Sequence, residues 1–199
     1  MEFQEAVRRR RMVRNYDPDR AVPPEVRERL LANALHAPSA GFSQGWAFLV
    51  CEGAEQLNRF WAAASPPDRG QARRYEEMSR APLVIVPHSH KDAYLDRYAQ
   101  PDKGWTDRDE SHWPVPYWHI DAGMAALLML LTAVDAELGA CFFGIPPDRV
   151  PVFRKAFDVP DAYTPIGAVT VGYGAPDRPS PSLKRGRRLV DDVVHRGRW

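Results

Sequence analysis

The chain has 199 residues, 44% of them hydrophobic and 27% charged, and its 27 Lys and Arg against 26 Asp and Glu leave a net charge of +1. That length and composition suit one folded domain with a sizeable core and exclude long disordered tracts. The balanced charge excludes global attraction to nucleic acid or to a membrane, so any anion has to be bound locally.

The opening MEFQEAVRRRR has no apolar core of the signal-peptide kind. Cys51 and Cys141 lie far apart in apolar runs and read as buried free thiols of a reducing compartment, which places the protein in the cytoplasm. Phe3 to Arg11 reads as a short amphipathic helix, and Arg14 to Pro24 as a connector of turn formers. Behind Pro23 and Pro24, the residues Val26, Leu30, Leu31, Ala34 and Leu35 fall at helical spacing, and Pro38 stops that helix at Ala37. The small residues Ser39, Ala40, Gly41 and Ser43 let the backbone approach something flat or charged, and Trp46 to Glu52 reads as a strand.

Helices are expected over Glu55–Ala64 and Asp68–Ser79, then a buried strand over Pro82–Pro87. His88 to Pro116 is irregular, rich in charge, proline and aromatic rings, which suits a lid or a binding loop. Tyr117 to Leu138 forms a long helix, apolar on nearly every face and closed by Gly139. Its apolar core between Asp121 and Asp135 is too short for the ~18–20 residues of a membrane span. A strand at ACFFG, a helix over Pro147–Phe157 and a strand over Pro165–Gly174 complete the body. Residues 178–199 form an arm without clear period, ending in Trp199. The pattern is a single α+β domain over 1–199, a sandwich of helices on a mixed sheet, with 88–118 as an insertion.

Three arginine clusters stand out: Arg8 to Arg11 with Arg14, Arg73 with Arg74, and Lys184 to Arg188. Each is either solvated surface or, where two converge, a phosphate clamp of guanidinium forks. His88 with His90, and His119 with Asp121, lack the spacing of a metal site, so no metal is expected. Neither a Walker loop, a nucleophile elbow nor a Gly-x-Gly-x-x-Gly fingerprint is present.

Four stretches together resemble the nitroreductase family of FMN-dependent enzymes. RRMVRNY, Arg10 to Tyr16, is similar to its opening basic motif; APSAGFSQGW, Ala37 to Trp46, to its Ala-Pro-Ser…Gln-Pro-Trp loop. IDAGMAALLML…ELGACFFG resembles its central helix and next strand, and RGRRLVDDVVHRGRW its C-terminal end. The resemblance implies a three-layer sandwich with a mostly antiparallel sheet, and an intertwined homodimer with FMN at the interface and exchanged tails. It implies that Arg10, Arg11, Met12 and Arg14 meet the flavin, with Arg10 at the phosphate and Arg14 stabilising charge near N1. Arg185 and Arg187 would complete the phosphate clamp. Pro38, Ser39 and Ala40 would lie along the ring, from the partner subunit, with Gln44 at its edge and the backbone of Phe143 and Gly144 near its reactive side. Trp105, Trp113 and Trp118 would wall the substrate entrance; the alternative is that these rings pin a long loop to the core.

Two departures stand out. Met12 replaces a hydroxyl residue, and Phe42, Ser43 and Gly45 replace the usual Asn and Pro surroundings of Gln44. The implied activity is hydride transfer from NAD(P)H through flavin N5 to a nitroaromatic, a quinone or a similar flat small molecule, by a ping-pong route. The alternatives are an FMN-dependent dehydrogenase of a natural product or peptide, and a non-catalytic binding module.

Overall fold

The computed structural model describes residues 1–66, 72–177 and 180–199, without the side chains of 72–74. The expected start of a helix at Asp68, the Arg73–Arg74 pair and Arg178 therefore lie outside what is described. The helices are α1 (Phe3–Arg9), α2 (Pro24–Ala34), α3 (Gly53–Ala64), α4 (Ala72–Met78), α5 (Lys91–Tyr98), α6 (Tyr117–Asp135) and α7 (Val150–Ala156). The strands are β1 (Trp46–Glu52), β2 (Leu83–His90), β3 (Gly139–Phe143), β4 (Tyr163–Pro165) and β5 (Ala168–Gly172).

The strands join in the order β1-β2-β5-β3, with β4 also on β2, and every strand pairing described is antiparallel. The expected parallel component shrinks to a single bridge, Met12 to Ala140. Side chains alternate across the sheet as the strand pleat requires. Leu83, Ile85, Val169 and Val171 face α2 and α6, in a core with Leu30, Ala34, Ala125 and Met129. Val84, Val86 and Ala168 face the other way, against Phe60, Trp61 and Phe153 of α3 and α7. Helices on both faces of one sheet make three layers, as expected.

Several boundaries differ from the sequence reading for local reasons. β2 runs through Pro87, because its pairing with β5 ends at Ile85 and that with β4 begins at His88. Pro87 falls in the gap, where an amide N–H is not called on. The expected strand 165–174 is split at Ile166 and Gly167; a Cβ on Gly167 would lie 2.6 Å from the Phe142 ring. α6 ends at Asp135 rather than running to Leu138: Glu137 takes φ 59°, and Leu138 N–H donates to Ala133 O at 2.8 Å. Gly139 instead starts β3, where Val13 packs too close for any side chain.

The irregular segment holds a helix, α5, that its charges and flanking turn formers obscured. α6 is not buried all round. Trp118, Ala122, Ala125, Met129 and Ala133 are inside, while Ile120 and Leu127 are exposed, with Met124 and Leu131 half-buried beside them. By length (19 residues) and mean hydropathy (1.4) α6 could cross a bilayer, yet half of it is buried within this fold.

Candidate functional site

The arginine segment runs along the β3 edge of the sheet. Val13 N–H donates to Ala140 O at 2.9 Å, and the Met12 sulfur accepts from Phe142 N–H at 3.4 Å. The Met12 side chain thus serves the strand edge. Tyr16 anchors the segment from below: wholly buried, its hydroxyl donates to Val13 O at 2.6 Å and lies 2.8 Å from Thr170 Oγ1. Burial pushes the Tyr16 phenol far up, so it stays neutral.

The start of the C-terminal arm comes to the same place. Arg14 N–H donates to Asp177 at 2.9 Å, the Arg11 guanidinium lies 3.6 Å from that carboxylate, and Asn15 donates to Pro176 O at 2.8 Å. Arg11, exposed, is thereby committed to Asp177, while Arg10 is half-buried and without an ion pair among the described residues. Among the described residues the Arg14 guanidinium donates only to Met12 O at 3.3 Å, and its buried Nε finds no partner. Buried donors are nearly always satisfied in finished sites, so this one fits an acceptor on a ligand. A cavity of about 300 Å³ opens beside the segment, lined by Arg9, Arg11, Val13, Glu137 and Gly174.

The Arg185 and Arg187 side chains make no hydrogen bond or ion pair among the described residues, and residues 181–199 are exposed throughout. The arm carries Leu183, Leu189, Val190 and Trp199 bare to solvent, Trp199 at 100%. Within one chain it therefore does not close on Arg10 and Arg14.

The small-residue loop leads into β1, the opposite edge of the sheet. Three interstrand spacings separate β1 from β3, about 14 Å at 4.8 Å each. In the loop, Ser39 Oγ accepts from Gln44 N–H at 3.0 Å and Ser43 Oγ donates to Ala40 O at 2.6 Å. Gly41, Phe42 and Gln44 all have positive φ, 60°, 54° and 50°. Pro38 and Gln44 are exposed, Ser39 and Ala40 half-buried, and the Phe42 ring is 74% exposed. At the far end of β3, Phe143 turns its ring into the core, stacked on Trp61 at 5.7 Å, leaving only its backbone and the open Gly144 to face outward.

The insertion packs largely on itself. Trp113 lies at its centre, 4.5 Å from Tyr98, 5.4 Å from Trp105 and 6.2 Å from Trp118. Trp118 is only 6% exposed and so packs rather than walls; Trp105 and Trp113 are half-buried.

The sequence reading missed the acidic partners. Asp177 lies beyond the arginines by more than a hundred residues, and only the β5 pairing brings it back. Asp121, weighed as a metal ligand with His119, is buried and accepts from Ala40 N–H and Tyr94 O–H, each at 2.8 Å. His119 instead sits 2.8 Å from Ser89 Oγ, and His88 Nδ1 donates to Val86 O at 2.9 Å. Among the described residues no group of three or more potential ligands could hold a metal.

Comparison with known proteins decides the kinship. The model of the nitroreductase family matches residues 7–173. The chain belongs to the nitroreductase family. It is 28% identical to a protein of Methanothermobacter thermautotrophicus provisionally named NADH dehydrogenase/NAD(P)H nitroreductase, covering 100% of this chain and 88% of that one. The fold of a nitroreductase family protein from Clostridium difficile superposes with a TM-score of 0.74 at 24% identity, over 100% of both chains. A nitroreductase-like protein of Exiguobacterium sibiricum, crystallised in complex with FMN, gives 0.74 at 21% identity, over 98% of this chain and 97% of that one. This nitroreductase-family chain keeps the fold of both.

Proposed function

We propose that this protein is an FMN-dependent oxidoreductase that takes a hydride from NAD(P)H and passes it to a flat electrophilic small molecule, such as a nitroaromatic or a quinone, in alternating half-reactions. The observation that carries the reading is the buried Nε of Arg14, without a partner among the described residues and set among basic residues at a strand edge. The reduced isoalloxazine ring carries negative charge near N1, and a half-buried guanidinium opposite it suits that charge. Bound FMN supplies the hydride chemistry at N5, which requires no acid–base dyad from the protein.

The chain's own residues then hold, orient and exclude. Arg10 and, from an exchanged arm, Arg185 and Arg187 grip the phosphate. Pro38, Ser39, Ala40 and Gln44 floor the ring, and the backbone at Phe143 and Gly144 stands by its reactive side. Trp105 and Trp113 border the acceptor, with Trp118 packed behind them.

The site is shared between two copies. The arginine segment and the small-residue loop lie at opposite sheet edges of one chain, so a single flavin touching both needs a loop from a partner. Three further features support a homodimer: the exposed face of α6 at Ile120 and Leu127, the apolar arm, and a cavity of about 430 Å³ lined by Phe3, His36, Leu128 and Leu131. Cys51 and Cys141, both buried and neither in a disulfide, accord with a cytoplasmic setting. The test is purification with bound or added FMN, followed by NAD(P)H oxidation that depends on a quinone or nitroaromatic. Protein that neither binds FMN nor oxidises NAD(P)H removes the proposal.

A further inference from the structure

Asp121 lies in the first turns of α6 and is 1% exposed. Among the described residues it has no cationic partner; a buried carboxylate in that position is costly, and an apolar residue would pack there more cheaply. Its Oδ2 accepts from two neutral donors, Ala40 N–H and Tyr94 O–H, both at 2.8 Å. What those bonds provide is geometry. Ala40 opens the stretch where Gly41, Phe42 and Gln44 all sit at positive φ. For Phe and Gln that conformation is strained, and strain persists only where the surroundings over-determine it.

Those surroundings come from one face of α5. Tyr94, Arg97 and Tyr98 stand at i, i+3 and i+4, so their side chains share a side of the helix. Arg97 Nε donates to Gly41 O at 2.9 Å, and its guanidinium is itself braced by Asp102 at 2.7 and 2.8 Å. The Tyr98 ring fills the place of a Cβ on Gly41, at 2.6 Å, and the Tyr94 ring that of a Cβ on Gly45, at 2.4 Å. The glycine that departs from the family loop at position 45 is thus the complement of Tyr94.

We propose that Asp121 is a positioning residue: through Ala40 and Tyr94 it sets the shape of the loop that floors the flavin, and makes that loop and the aromatic insertion one mechanical unit. The proposal rests on the FMN reading for its functional half. It assigns the insertion a task besides bordering the acceptor, since a shift of α5 is transmitted to the ring floor.

The test uses the full chain and three variants. In Asp121→Asn the side-chain carbonyl oxygen still accepts both bonds; in Asp121→Leu neither survives; Tyr94→Phe removes one. Amide hydrogen exchange is read at 40–44 without flavin, and FMN affinity by quenching of flavin fluorescence. Asp121→Leu is expected to speed exchange at Ala40 and to weaken FMN, each about tenfold, the size of one net hydrogen bond. Asp121→Asn restores both to within about twofold, and Tyr94→Phe falls between. A folded Asp121→Leu protein with wild-type exchange and FMN affinity overturns the proposal, as does Asp121→Asn failing as badly as Leu. Should Asp121→Leu not fold, unchanged exchange and affinity in Tyr94→Phe overturn it equally. Wild-type protein that binds no FMN refutes the cofactor reading and the functional half of this proposal together; exchange at Ala40 still decides the structural half.

Discussion

Adding one methyl group at Gly45 should destabilise the protein, and a specific ring should be responsible. Gly45 is buried, and its carbonyl accepts from His90 N–H at 2.9 Å, so the backbone there is tied to the end of β2. A Cβ built on it would lie 2.4 Å from Tyr94 Cε2 and 2.7 Å from His90 O. Both are well inside contact distance. Tyr94 cannot swing aside cheaply, because its hydroxyl is bonded to Asp121 and its ring is packed against Trp113 and Trp118. Overpacking of this kind costs about 1–3 kcal/mol. For a chain of this length each kcal/mol lowers Tm by about 2–4 °C. Urea unfolding of Gly45→Ala, alone and with Tyr94→Ala, measures the cost and its origin. Removing the ring leaves the His90 carbonyl in place, so the glycine substitution should become cheaper by at least about 0.5 kcal/mol without becoming free. A neutral Gly45→Ala refutes the packing argument, and an equal cost in both backgrounds refutes the part given to Tyr94.

Leu127→Glu on the exposed face of α6 should convert a dimer to monomer and weaken FMN binding with it; a dimer of wild-type affinity by sedimentation counts against a shared site. Trp118→Ala, at 6% exposure, should cost about 3–5 kcal/mol of stability, whereas Trp105→Ala should chiefly raise KM for the acceptor; loss of flavin from Trp105→Ala with unchanged acceptor kinetics would make that ring structural. His88 is held below its ordinary pKa of 6.5, first by burial. It is neutral in both states above that pH, and as pH falls the unfolded chain takes up the proton first. Stability should therefore decline from about pH 6.5 downward, and His88→Gln should flatten that part of the curve in urea midpoints taken from pH 7.5 to 5.5. An identical slope in the variant assigns the loss to other groups.

The layers of the fold were legible because they rest on periodicity. The continuous apolar run at Leu83–Val86 reads as a strand buried on both faces, and it is one, with alternate residues in the two cores. α5 was not legible: its eight residues, KDAYLDRY, bury only Tyr94 and Leu95, too little for a period to show among the charges. The end of α6 was misjudged because Gly139 is the usual stop signal, whereas Glu137 adopts the left-handed turn itself. The arginine and small-residue motifs were found as motifs, but their distance apart was not. Only the strand order, which no local pattern encodes, places them at opposite edges of the sheet. Asp121 and Asp177 escaped for the same reason, since each acts on residues 81 and 163 positions away.

The central claim is tested most directly by an anaerobic titration of the FMN-reconstituted protein, followed in the visible flavin band. One FMN per chain should bind, and stoichiometric NADH or NADPH should bleach it. A quinone or nitroaromatic added afterwards, with no donor left, should restore the oxidised spectrum. Protein that does not retain FMN, or bound flavin that NADH and NADPH both leave oxidised, contradicts the account.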